Sequence, residues 1–268
     1  MTEINVESWD EVIEVLYEGS WNPGLQRHRS QYVFRGLDQV TYRLETSLQR
    51  LGANRPQWIS QMEGHLLRNF RKYAHRDVVQ RDSVWHWLAM AQHHGLATRL
   101  MDWTYSPFVG LHFATANQQA FGEDGVVWMI DHWKAQQDLP QELLSQLSDI
   151  GSVSFDADLL SRHVESLQDL LGFADQPSDD GFLLFFEPPS IDDRIVNQYA
   201  LFSILSDPVA VLDNWLAQRP EIFKKIIIPA SIKWEIRDKL DQSNLNERVM
   251  FPGLDGLSKW LTRNYYAK

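Results

Sequence analysis

Four short apolar runs limit what this chain can fold into. They are GVVWMI (125–130), GFLLFFE (181–187), ALFSILS (200–206) and KKIIIPA (224–230). Each is rich in β-branched or aromatic residues and reads as a strand. Between the last two, DPVAVLDNWLAQ has helical spacing.

The first half reads differently. Ser8 and Glu11 form a capping-box pair ahead of Val12, Ile13 and Leu16, which share a helix face with Trp9. QYVFRG (31–36) reads as a strand ending at Gly36. Residues 55–74 carry Ile59, Met62, Leu66, Phe70 and Tyr73 at helical spacing, with Pro56 near the start. Asp82 is placed to cap the next helix and Gly95 to stop it. A helix is predicted again from Pro107 to Gln118, and residues 140–171 read as largely helical behind Pro140. SIKWEIRDKLDQ and GLSKWLTR read as the closing helices. Helices thus dominate the first half and strands the second. This order predicts an α+β fold, with a mixed or antiparallel sheet built largely from the second half. We read one domain over residues 1–268, with the loop QPSDDG (176–181) as the best internal seam.

Composition removes several classes of function. The chain has no cysteine, which excludes disulfides and thiolate metal sites and fits a reducing, cytoplasmic setting. No run of about 18 apolar residues is present to span a membrane, and the first residues lack the basic and apolar regions of a secretory signal. A net charge of −11 argues against strong nonspecific nucleic-acid binding. A local basic cleft stays open, because Arg27, His28, Arg29, Arg35 and Arg43 cluster early. There is no G-x-G-x-x-G, no Walker loop and no G-x-S-x-G elbow, so the commonest dinucleotide, NTPase and serine-hydrolase readings fall away.

The chemistry concentrates in QHHGLATRLMDWTYSPFVGLHFATAN (92–117). His93 and His94 are adjacent, so they point about 100° apart on a helix and cannot chelate as an i, i+4 pair. His86 and His93 share a face, but no carboxylate stands at ligand spacing, and no bound metal is expected. Arg35, at a strand end beside Gly36, can offer two parallel N–H donors to phosphate or carboxylate, and glycine lets a ligand approach the backbone. An internal salt bridge to Asp102 is the competing use. Asp102 and Thr104 alternate to one side of an extended segment and Trp103 to the other. A carboxylate and a hydroxyl there can hold ribose hydroxyls, or Thr104 and Ser106 can cap the helix at Pro107. In DDRIVNQYALF (192–202), Arg194 and Gln198 stand four apart, and Gln198 can read an amide or a hydroxyl.

Taken together, YVFRG, QHHGLATRLMDWTYSPFVGLHFA, RIVNQYALF and FPGLDGL resemble the FRG domain family, from about Gln31 to Leu257. The order of these motifs is similar, more distantly, to the ADP-ribosyltransferase superfamily. That resemblance implies NAD or a related nucleotide as ligand, and ADP-ribosyltransferase or NAD glycohydrolase chemistry. Arg35 would match the dinucleotide-binding Arg, Asp102-Trp103-Thr104 would stand at the Ser-Thr-Ser position, and Gln198 would stand where the family has Glu. Arg35, His94 and Gln198 are then the catalytic candidates, with Arg35, Arg99, Asp102, Trp103 and Thr104 binding the nucleotide. Arg35, His94, Arg99, Asp102 and Gln198 are expected to converge on one concave site. Glutamine departs from the pattern, because it carries no charge to stabilise an oxocarbenium ion. The family resemblance also implies a bacterial defence or toxin-like role. The alternatives are a noncatalytic recognition module for a protein, a nucleic-acid end or a modified nucleotide, and a nuclease or phosphotransferase using His93 or His94.

Overall fold

The computed structural model describes residues 3–74, 78–79, 81–173 and 181–266. Most of the 176–181 seam therefore lies outside the described residues. Among the described residues there are ten strands: β1 (Glu3–Asn5), β2 (Trp21–Asn22), β3 (Arg27–His28), β4 (Tyr32–Leu37), β5 (Met101–Thr104), β6 (Gly125–Asp131), β7 (Phe155–Asp156), β8 (Leu183–Glu187), β9 (Ala200–Leu205) and β10 (Phe223–Ile228). β2 and β3 form a separate ribbon. The other eight make one sheet in the order β1-β10-β6-β4-β5-β9-β8-β7.

The fold is α+β and the sheet is mixed. β1 runs parallel to β10 and β7 to β8, while the remaining neighbours are antiparallel. The sheet does not come largely from the second half, as the sequence suggested. β1, β4, β5 and β6 all precede residue 132. β1 gave no sequence signal because it is three residues long and too polar to show an apolar run; β5 is the extended segment that carries Asp102 and Thr104.

Local signals explain most helix ends. Ser8 accepts from Glu11 N at the start of Trp9–Tyr17, and Ser106 accepts from Val109 N ahead of Pro107–Ala114. Gly95, at φ +81°, follows the Val84–His93 helix. Its N-cap is Ser83 and not Asp82. Asp82 accepts from Arg71 and from the Trp87 indole instead. The stretch 140–171 breaks into three helices: Gln141–Ile150, Ala157–His163 and Leu167–Gly172. Gly151 in the left-handed region ends the first, and a Ser166 capping box starts the third. Among the described residues, no helix is long and apolar enough to cross a membrane.

The sheet is split in the middle. β4 and β6 share six paired positions and β5 and β9 share four, yet β4 and β5 pair only at Phe34 and Thr104. One face is sealed across the split by a single core holding Val33, Met101, Trp103, Trp128, Phe185 and Leu201. The other face carries two separate cores. One contains Phe34, Leu111, Met129 and Ile226, and the other contains Trp85, Phe186, Phe202 and Ile204. The gap between these two cores lies over the place where the strands part.

Candidate functional site

A crevice of about 220 Å³ occupies this gap. Alternation along the strands explains its walls. Trp103 turns into the sealed face, where its indole donates to Ser203 Oγ at 2.8 Å, so Asp102 and Thr104 turn into the crevice. Phe34 and Gly36 line it from β4 and Ala200 from β9. Arg35 reaches into the gap: its Nη1 donates to the Asp102 carbonyl at 2.7 Å and stands 3.9 Å from the Asp102 carboxylate. A side-chain donor thus bridges the strands where the backbone ladder stops. The Arg35 Nε is buried with no hydrogen-bond partner. Burial lowers the Arg35 pKa, against the opposing pull of Asp102, but a guanidinium stays charged at neutral pH.

Asp102 is held from a second direction. Thr98 Oγ1 donates to Gln92 Oε1 at 2.6 Å, and Gln92 Nε2 donates to Asp102 Oδ2 at 2.9 Å. The opening Gln of the QHHG stretch therefore belongs to the site, while its histidines point elsewhere. His94 is exposed at the helix end, edge-on to His93 at 5.1 Å, and does not line the crevice. His93 pairs with Asp192 at 2.8 Å, and His86 meets Ser83 Oγ at 2.8 Å and lies 3.4 Å from Asp158. Among the described residues, no three His, Asp or Glu side chains gather to hold a metal.

Arg99 is a second departure from the expected convergence. It is buried, stands 3.0 Å from Glu63, and donates to the Ser206 carbonyl at 3.0 Å. Its guanidinium is engaged inside the protein, away from the crevice. Trp103 borders the crevice without offering its ring as a wall, because that ring packs with Phe185 in the sealed core. Gly36 also has another purpose than ligand approach. A Cβ there would stand 1.9 Å from the Gly110 carbonyl oxygen and 2.6 Å from Ala114 N. What comes close is the backbone of the helix behind β4.

The far wall comes from the turn before β9. Gln198 ends the short Asp193–Asn197 helix, and Tyr199 follows at φ +48°. The Gln198 carbonyl accepts from Thr104 Oγ1 at 2.7 Å, and its side-chain Nε2 donates to the Met250 carbonyl at 2.9 Å. Arg194, one turn earlier, lines the crevice and lies over the Phe251 ring at 5.0 Å. Among the described residues, Arg194 forms no ion pair with a carboxylate. Phe113 completes the wall. Arg194 was legible in the sequence as the i−4 partner of Gln198, whereas Phe113 had no signal beyond its place in an apolar helix.

Residues 30–123 match the FRG domain family. This segment supplies one wall of the crevice, from Phe34 to Gly36, Asp102 to Thr104, and Phe113. Arg194, Gln198 and Ala200 reach this segment from later in the chain, as does the FPGLDGL stretch that carries Phe251. No curated protein and no solved structure matches the chain.

Proposed function

We propose that the crevice is a nucleotide pocket of ADP-ribosyltransferase-like design, in a cytoplasmic protein, with NAD or a close relative as its ligand. One observation carries the reading. Two guanidinium groups, Arg35 and Arg194, come from opposite walls into one crevice beside a single carboxylate, Asp102, on a chain of net charge −11. Such a concentration of cationic donors suits a pyrophosphate, because each guanidinium can offer paired N–H groups to phosphate oxygens. Asp102, held by Gln92, is the group suited to accept from a ribose hydroxyl.

The site favours binding over turnover. Gln198 has its amide engaged by Met250, and it brings no negative charge to a developing oxocarbenium ion. Glu187 does not line the crevice, and its carboxylate accepts from the Tyr105 hydroxyl at 3.0 Å. These facts also support the alternative of a noncatalytic recognition module for a protein, a nucleic-acid end or a modified nucleotide.

Isothermal titration of the wild-type chain with NAD, ADP-ribose and a short RNA tests the proposal. The expected result is binding of NAD and ADP-ribose, with Arg194→Ala weakening both by about 1.5–3 kcal/mol, the range for a hydrogen bond to a charged group. Binding of RNA alone, or affinities unmoved by Arg194→Ala, would sink it.

A further inference from the structure

A second hollow, of about 710 Å³, adjoins the crevice. It lies between the end of the Pro107–Ala114 helix, the turn at 117–119 and the Leu254–Asn264 helix. Phe113 lines both spaces. Phe251, on the wall of the hollow, carries Arg194 of the crevice over its ring at 5.0 Å and Lys259 of the hollow at 5.3 Å. A path of cations and aromatic rings thus runs from one space into the other.

A buried donor borders the hollow. His112 is fully buried, and Arg237 Nη1 stands 3.1 Å from its Nδ1. Arginine has only donors, so Nδ1 accepts and the ring proton sits on Nε2. That Nε2 has no hydrogen-bond partner. Burial, followed by the nearby Arg237 charge, pushes the His112 pKa down to about 3, so the ring stays a neutral donor at ordinary pH.

Size completes the argument. The crevice is smaller than the roughly 300–1,000 Å³ of pockets that enclose a whole drug-sized ligand. A dinucleotide cannot fit there entirely, whereas the two spaces together have the room. We propose that the hollow is the second compartment of one bipartite site and takes the distal nucleoside of a dinucleotide whose phosphates lie at Arg35 and Arg194. Lys259 and the His112 Nε2–H then meet acceptor atoms of that distal half. The inference rests on the reading of the crevice as a nucleotide pocket.

Titration of the full chain with ADP and with NAD separates the two ideas. NAD is expected to bind at least tenfold more tightly than ADP. Thr262→Trp, at an exposed helix position lining the hollow, is expected to erase that gap while leaving ADP affinity within twofold. Lys259→Glu should weaken NAD about fivefold. Thermal melts confirm that both variants fold. If ADP binds and NAD binds no better, or if the gap survives Thr262→Trp, the bipartite site is wrong and the crevice reading stands. If neither ligand binds, both fall.

Discussion

Arg35 and Arg99 make an instructive pair. Each lies at or beside a strand of the sheet, and each is largely withdrawn from water. Arg99 stands 3.0 Å from Glu63, with the Leu205 and Ser206 carbonyls nearby, in a region where both partners are almost fully buried. Arg35 makes one bond to a carbonyl, holds a carboxylate only at 3.9 Å, and borders an open crevice. The first guanidinium is closed off by its own protein and the second is left with donors to offer. The difference arises from the sheet. Arg99 sits where cores pack on both sides, whereas Arg35 sits where β4 and β5 stop pairing. Residue type and burial alone therefore do not tell these two arginines apart; the partners each has and the space in front of it do.

The largest expected effect belongs to the closed region. Arg99→Leu strands the buried Glu63 charge and should cost about 3–5 kcal/mol in urea denaturation, the usual penalty for breaking a buried ion pair from one side. The double replacement Glu63→Leu/Arg99→Leu should recover much of that loss. Unchanged nucleotide affinity in both would confirm that this pair is structural. A drop in affinity with stability intact would erase the contrast with Arg35.

A smaller loss is expected behind the open region. Gly36→Ala drives a methyl group into the Gly110 carbonyl, so the helix must move away from β4. Overpacking of this kind costs about 1–3 kcal/mol. Because the helix carries Phe113, the melting temperature and the nucleotide affinity should fall together. A normal melting temperature would show that the helix yields easily and that Gly36 serves the crevice directly.

Arg35→Lys should disturb stability least and sharpen the comparison most. Lysine keeps the charge but loses the planar fork. Nucleotide affinity should fall by about 1–3 kcal/mol, with a stability change below about 1 kcal/mol. The reverse pattern, a sharp loss of stability with affinity unmoved, would make Arg35 a second Arg99.

Local chemistry was legible where it acts over a few residues. The apolar runs at 125–130, 181–187, 200–206 and 224–230 became β6, β8, β9 and β10. Ser8, Ser106 and Gly95 mark helix ends as read. The alternation of Asp102, Trp103 and Thr104 was equally plain, because side chains on an extended strand must face opposite ways. Polar residues at strand ends and helix openings predict a shared pocket, and Arg35, Asp102 and Gln198 of the expected set line one crevice. Arg99 and His94 were misplaced, since a short stretch of sequence does not say which side of a turn faces a cavity. The close approach of the Gly110 and Ala114 backbone to Gly36 had no signal in the sequence either.

What residues 1–268 determined by themselves was the α+β class, the longer strands of the sheet, several helix ends, and the cationic and carboxylate groups available for a site. Tertiary structure alone decided which of these groups remain free. Helix packing claims Gly36, Glu63 claims Arg99, and Met250 claims the Gln198 amide, all through contacts between residues far apart in the chain. The split between β4 and β5 is of the same kind. A strand's sequence sets its own pleat and its two faces, but whether two strands continue to pair depends on the cores that pull each half of the sheet to its own side.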